Sequence, residues 1–563
     1  MGQVLFWLVA SVASVLFIAL GMAIVVRVRR PGQRRGVRVA WMVFHVAWWI
    51  FAIGPWLAVI GMFVLYTVFS GGGYLVPLVM SSLAGVAFVV SAVVVCRRGR
   101  RPSVTVGGPV SATWRLHRLA LAWAAAVLLG CMTWWNLDLV VRQEMAALKV
   151  EAGAIAQSVA PLRIPASLNA APLYRQVWDM LDAQDTTETT WTGLVAEWLS
   201  PSEGEFDSNN EQMLAFLDKQ APAIELLRKA SQMPGCDFGV NYNQLSVETL
   251  MPGLGQARSS VRLFCLSARV AAHRGDTVQA MRDLNTALAM ADHCTTDPTL
   301  IATLVAVAIQ DLTFKTFQYV LDQGGLTADS AAAFSMNSSR DFNRSLHRST
   351  RIETAFSMSI FIMQDRTTAL STHISDEDPR LSVADSPLYR VFLWQNDVKA
   401  YLLWMRWNER LSSQPYHASV QGWKQRAGLS QDEWVKGIGS LFGSMIAPTF
   451  SRAAEMSAEA DAKHRLMTLA VAMWNYRLEE GEFPDEFSQL VPRYVLTVPV
   501  DPFTGKSLKL VRLADGGVTM YSVGPDLTDD GGVSMDPKAR SSGGVPVPGD
   551  IVLMLGVHGR ERP

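Results

Sequence analysis

The sequence predicts a mainly helical protein in three parts. Residues 1–139 form a four-helix transmembrane region, 140–450 an all-helical domain of helical hairpins, and 451–563 a small α+β domain. Three observations predict this. Mean hydropathy is +0.17 over the whole chain, and the apolar excess is concentrated in the first 140 residues. Apolar residues then recur at intervals of three and four through the middle of the chain, the helical period. Towards the C-terminus a last helical run gives way to a hairpin signal and a loop rich in Gly, Ser, Pro and Asp. At 563 residues the chain is long enough for three or four domains.

The membrane region is read first. Val4 to Val26 is apolar and long enough to cross a bilayer core, which takes about 20 residues. Val39 to Phe69 is longer than needed and carries Pro55, so one tilted or kinked helix is expected. Tyr74 to Val95 is a third span. Leu119 to Leu139 is a fourth, with Trp134-Trp135 as the interfacial aromatic pair. Arg27, Arg29, Arg30, Arg34, Arg35 and Arg38 fill the first loop, and Arg97, Arg98, Arg100, Arg101, Arg115 and Arg118 the third. The second loop, Ser70-Gly71-Gly72-Gly73, has no charge. Positive loops stay inside, so the N-terminus and everything after Leu139 are expected outside the cytoplasm. The positive charges follow the first apolar run instead of preceding it, so no cleavable leader is expected. The chain is expected to be a multi-pass membrane protein, with the lipid bilayer as one partner.

Charge and cysteine content narrow the remaining choices. Fifty basic and fifty acidic residues cancel, so no global field argues for a nucleic-acid partner. Cys96 and Cys131 belong to the spans. Cys236, Cys265 and Cys294 would lie in an oxidising compartment, where at most one bridge forms among three. Leu128-Leu129-Gly130-Cys131 has the order of a lipoprotein cleavage box, yet the apolar run continues past it and it reads as part of the fourth span. His45 lies within the second span, where a neutral histidine bonded inside the bundle is the expectation.

The middle of the chain reads as helices joined by short breaks. Val140 to Ser158 continues the last span outward, until Pro161, Pro165 and Pro172 interrupt it. Leu173 to Leu199 and Asn210 to Met233 carry helical spacing. One helix ends at His273-Arg274-Gly275, and Asp276 caps the next, whose apolar face is Val278, Met281, Leu284, Leu288 and Ala291. Gly275, Ala280, Leu284 and Ala287 fall where a tetratricopeptide repeat places its turn glycine and small helix-B residues. That repeat's first-helix positions hold Ala271 and Ala268, and a generic helical hairpin predicts the same pattern. Leu300 to Leu321 is a helix ended by Gly324-Gly325. Thr327 caps another, Phe342 to Met363 follows, and helices resume at Tyr389 to Leu411 and from Gln431. Stacked hairpins of this kind bury their faces against neighbours and leave a groove for a protein partner.

Ser451 to Glu480 predicts a helix, with Leu466, Leu469, Ala470, Met473, Trp474 and Leu478 as its buried stripe and Gly481 as its end. Asp485 to Leu490 is a short helix closed by Pro492. Leu508 to Leu513 and Val518 to Val523 are strands joined through Asp515-Gly516-Gly517. The order Gly481-Glu482-Phe483-Pro484, Asp501-Pro502-Phe503-Thr504-Gly505, Tyr521-Ser522-Val523-Gly524-Pro525-Asp526 and Gly549-Asp550-Ile551-Val552 resembles the globular end of type II secretion pseudopilins of the major kind. The run from Leu168 onward also resembles bacterial membrane-anchored proteins that begin Asn169-Ala170-Ala171-Pro172-Leu173-Tyr174 and share this ending. The resemblance implies a calcium-binding loop over Gly524 to Gly549, with Asp526, Asp550 and Asp530 as ligands and Asp529 nearby. Calcium takes six to eight oxygens, which carboxylates and loop carbonyls supply. The middle of the loop, Ser534 to Val547, departs from that family. The helix also follows a soluble domain, so pilin-like polymerisation is not expected.

No Gly-x-Ser-x-Gly, His-Glu-x-x-His or phosphate-loop ending is present. The reading favoured is a non-enzymatic envelope protein with a helical interaction platform and a pseudopilin-like cap, secretion-related by resemblance. A membrane sensor or transport accessory and an extracytoplasmic hydrolase are the alternatives. A broad, shallow helical surface would favour the first, and a deep groove with convergent polar groups the last.

Overall fold

The computed structural model describes residues 136, 139–183, 190–200, 206–242, 253–334, 340–363, 394–427, 443–535 and 548–556. The four expected spans and His45, Cys96 and Cys131 lie outside the described residues, apart from single positions at the end of the fourth span. The chain divides into two compact units: Met1–Ala146 with Met363–Gln395, and Ala147–Ile362 with Asn396–Pro563. In the first unit the described residues are helical.

The second unit is mainly helical with one small sheet. Its helices, in order, are α1 (139–159, begun in the first unit), α2 (Ala171–Asp182), α3 (Trp191–Leu199), α4 (Glu211–Lys219), α5 (Ala221–Ser231), α6 (Leu254–His273), α7 (Thr277–Cys294), α8 (Leu300–Asp322), α9 (Ala328–Ala333), α10 (Phe342–Met363), α11 (Trp394–Ser412), α12 (Tyr416–Ala427) and α13 (Gly443–Glu480).

Local chemistry sets several of the helix starts. The Asn210 side chain accepts from Met213 N, that of Asp276 from Gln279 N and that of Thr299 from Ala302 N. Each satisfies one of the four amides that a helix start leaves open. Thr327 and Ser330 form a reciprocal capping box on α9. Asn210 to Met233 is two helices instead of one, broken at Gln220, because Pro222 opens α5 and cannot continue α4.

The antiparallel hairpin α6–α7 packs on α8, and α8 packs in turn on α13. α8 is apolar nearly all round, the pattern of a helix surrounded by others. Among the described residues it is the one helix long and apolar enough to cross a membrane, yet 61% of its most apolar window is buried inside the protein. It therefore serves as a core helix. Gly325, just past α8, has φ +76°, and a Cβ there would fall 2.2 Å from the Trp474 ring of α13. Only glycine allows both the left-handed turn and that approach. On α13, Leu466, Met467, Leu469, Ala470 and Met473 are completely buried, while Leu478, expected in the same stripe, is exposed. Its turn lies next to Gly481, where the helix runs out into solvent.

The C-terminal sheet has the order β1 (Lys509–Arg512), β2 (Val518–Ser522), β3 (Ile551–Leu555), all antiparallel. β1 and β2 form the expected hairpin, with Arg512 paired to Val518. β3 was not expected from the sequence. β2 is buried along its whole length. One face meets α13, and the glycine loop crosses the other, where Gly532 approaches Thr519 and Tyr521. Asp501 fixes the turn beside the sheet: its carboxylate accepts from Phe503 N at 2.8 Å, Ser522 Oγ at 2.9 Å and Val523 N at 3.2 Å.

Candidate functional site

The densest group of chemically capable side chains lies at the C-terminal end of α7. His293 and Cys294 sit there, opposite the segment 233–242 that follows α5. Asn169 holds that segment in place. Its Nδ2 donates to Asp237 O at 2.9 Å, and its Oδ1 accepts from Asp237 N at 2.8 Å and from Ala171 N at 3.1 Å. Ala170 N donates to Gly235 O at 2.9 Å. Arg163 pairs with the Asp237 carboxylate at 3.0 Å and reaches Val240 O at 3.1 Å, and Arg175 donates to Phe238 O at 2.6 Å. Phe238 stacks on Trp178, which stacks on Tyr174. Asn169 and Ala170 of the Asn169 to Tyr174 motif thus clamp the backbone of the 233–242 segment.

Tyr174 also reaches the centre of the group. His293 Nε2 lies 3.0 Å from Met233 O, and a carbonyl can only accept, so Nε2 carries the hydrogen. Nδ1 of the neutral ring is then an acceptor, and the Tyr174 hydroxyl donates to it at 2.8 Å. Burial lowers the His293 pKa and favours this neutral ring. Burial also raises the Tyr174 pKa well above its ordinary value, with Cys236 and Cys294 adding to the effect.

Between α7 and the 233–242 segment lies a cavity of about 20 Å³. That is room for about one water molecule. Cys236, Cys294, His293, Tyr242 and Asp297 are among the residues that line it. Tyr242 hydrogen-bonds the Asp297 carboxylate, whose Oδ1 also accepts from Thr299 N at 3.0 Å. Burial pushes the Cys294 thiol up to about 12, and pushes Cys236 up further still. The nucleophilic form of cysteine is the thiolate, which burial disfavours at both sulfurs. With a neutral imidazole already bonded at both nitrogens, the group has neither an activated nucleophile nor a free base.

A second depression is larger and open. It measures about 700 Å³ and runs along the outer face of α2, past Pro172, Gln176, Asp179, Met180 and Ala183.

The residues expected to bind calcium come close together, but their carboxylates accept backbone N–H groups. Asp526 accepts from Thr528 N at 3.0 Å and Gly549 N at 3.4 Å. Asp550, completely buried, accepts from Gly532 N at 2.7 Å and from Asp530 N at 3.4 Å. Asp530 thus contributes its amide here. Asp529 accepts from Tyr521 OH at 3.0 Å and pairs with Lys509 at 3.1 Å. Among the described residues no three His, Cys, Asp or Glu side chains are grouped to hold a metal ion. Residues 536–547 of the loop lie outside the described residues.

The partners at His293 are far apart in sequence, so no local motif announces them. The signal that the sequence did carry was the Asn169 to Tyr174 string, whose role only the fold reveals. No family model matches the chain, no curated protein matches it, and no solved structure matches it.

Proposed function

We propose that this chain is a non-enzymatic, membrane-anchored envelope protein whose extracytoplasmic helical domain docks a protein partner. One observation carries the reading. The side chains best suited to chemistry, at His293, line a cavity of about 20 Å³ and are bonded among themselves, while the exposed side of α2 is a shallow, nearly flat surface open to solvent. A substrate pocket usually runs to several hundred Å³ and buries its ligand. An open helical face instead suits a protein partner.

Anchoring by residues 1–139, with the arginine loops inside, belongs to the same proposal and rests on hydropathy and charge. So do a pseudopilin-like cap, an association with secretion components, and calcium held through Asp526, Asp530 and Asp550. These rest on the sequence resemblance alone.

The test is a photo-crosslinking amino acid at Gln176 or Met180 of the full chain in its native membrane. A discrete protein adduct, absent when the label is moved to Leu496 on the C-terminal part, is the expected result. If neither α2 position captures a protein, the docking reading fails. Reporter fusions after Arg35 and Arg101 should read cytoplasmic, and those after Gly72 and Pro201 outside. A cytoplasmic reading after Pro201 would overturn the topology.

A further inference from the structure

Cys236, Cys265 and Cys294 are all buried as free thiols. Their surroundings separate them. Cys265 lies on α6, where its thiol hydrogen-bonds Thr316 and Thr313 of α8. Cys236 and Cys294 line one and the same cavity of about 20 Å³, Cys236 from the 233–242 segment and Cys294 from the last turn of α7. Two cross-links bracket them. On one side His293 Nε2 donates to Met233 O at 3.0 Å. On the other, Tyr242 bonds the Asp297 carboxylate. Cys236 falls between 233 and 242, and Cys294 between 293 and 297. The two segments are thus pinned together on both sides of the thiols. After burial, Cys294 is the largest influence on the ionisation of Cys236, in keeping with two thiols that line one small cavity.

We propose that Cys236 and Cys294 are a redox pair that closes to an intramolecular disulfide, tying the 233–242 segment to the end of α7 and leaving Cys265 as the unpaired thiol. The oxidant is a disulfide-bearing thiol oxidant of the envelope, so the bridge in cells rests on the extracytoplasmic reading proposed above. One cysteine thiolate attacks the oxidant's disulfide, forming a mixed disulfide and releasing one thiolate. The second cysteine thiolate then attacks the protein sulfur of that mixed disulfide and releases the other. Two electrons pass to the oxidant. The two protons lost by the cysteines are taken up by the two released thiolates. In the closed pocket both thiols are held protonated and screened from solvent. Exchange therefore belongs to the stage of folding before Asn169 and Arg163 draw the segment down. Once made, the bridge is shielded from reductants. It closes a loop of roughly 60 residues, long enough to restrict the unfolded chain substantially.

The test uses the full chain in its native membranes, acid-quenched and alkylated in denaturant with and without prior reduction, then mapped by peptide mass. The expected result is a Cys236–Cys294 cross-linked peptide, lost on reduction, with Cys265 alkylated in both samples. Cys236→Ala and Cys294→Ala should each abolish the cross-link, and Cys265→Ala should leave it. If the pair is reduced in cells, the purified chain is opened in mild denaturant with oxidised glutathione and diluted back. A Cys236–Cys294 link forming there supports the pairing and places the failure in the compartment reading. No link, a link to Cys265, or a link between two copies of the chain overturns the proposal.

Discussion

Gln318 and Met554 are joined by two hydrogen bonds. The Gln318 Nε2 donates to Met554 O at 3.1 Å, and Met554 N donates to Gln318 Oε1 at 2.9 Å. A side-chain amide on core helix α8 thus pairs with edge strand β3 as another strand would. The relationship serves two ends. It satisfies backbone groups that an edge leaves open, and it blocks that edge against a foreign strand. It also fastens the α+β part to the helical part, which lie in one compact unit.

Gln318→Ala removes both bonds at a buried position. Each orphaned group costs about 1–3 kcal/mol. The expected outcome is a lower urea midpoint and faster hydrogen exchange at the Met554 amide. An unchanged exchange rate there would mean that the strand edge is held by packing alone.

Asn169→Ala should loosen the 233–242 segment, because one side chain bonds Asp237 on both its amide and its carbonyl and also bonds Ala171 N. A loss of about 2–4 kcal/mol is expected from such a shared, part-buried set. Asn169→Asp should be no better tolerated, since it lacks the donor and brings a second negative charge to Asp237. Limited proteolysis between Met233 and Tyr242 is the readout.

Asp550→Ala should lower the melting temperature even in chelator, because the carboxylate accepts two backbone amides whether or not an ion is present, and should lower it further in calcium if the ion is held there. If calcium raises the wild-type melting temperature and Asp550→Ala abolishes that rise, donors from 536–547 complete an ion site.

Asp461 gives a pH dependence. It lies on α13 at the start of α10, where its Oδ1 accepts from Phe342 N at 3.0 Å. Burial pushes its carboxyl up to about 7. The amides of Phe342 and Asn343 and the Arg465 charge act against the rise, and Asp341 adds to it. The folded state therefore binds this proton more tightly than the unfolded chain. Its contribution is fully present below about pH 4 and is lost as pH rises towards 7. Asp461→Asn keeps the acceptor without the charge, so it should match the wild type near pH 4 and be more stable at pH 7. Parallel stability curves over this range would exclude Asp461 as the titrating group.

Much of the helical part was legible because its punctuation is local. Asp276, Thr327, Gly275 and Gly481 mark ends at the residues where the helices end. α12 was not legible: its buried stripe is only Tyr416, Val420 and Trp423 with a serine, and it is held by Phe503 and Trp407 from elsewhere in the chain. β3 was hidden for a different reason. Ile551, Leu553 and Leu555 face inward, but Val552 and Met554 between them are also apolar, so no alternation shows. The thiol pair and the His293 bonds join residues dozens of positions apart, and only the tertiary fold brings them together.

The core position of α8 has a consequence for biogenesis. If the C-terminal part is exported, the insertion machinery meets in α8 a segment as apolar as many true spans. Lipid and protein interior then compete for it. The side chains that tilt the choice are Thr303, Gln310 and Gln318, all buried in the fold. In hydrocarbon they would lose the partners they have in the protein, where Gln318 bonds β3, Thr303 bonds Ser349, and Gln310 accepts from Arg340. Each of these bonds favours the protein interior over hydrocarbon as the environment of α8.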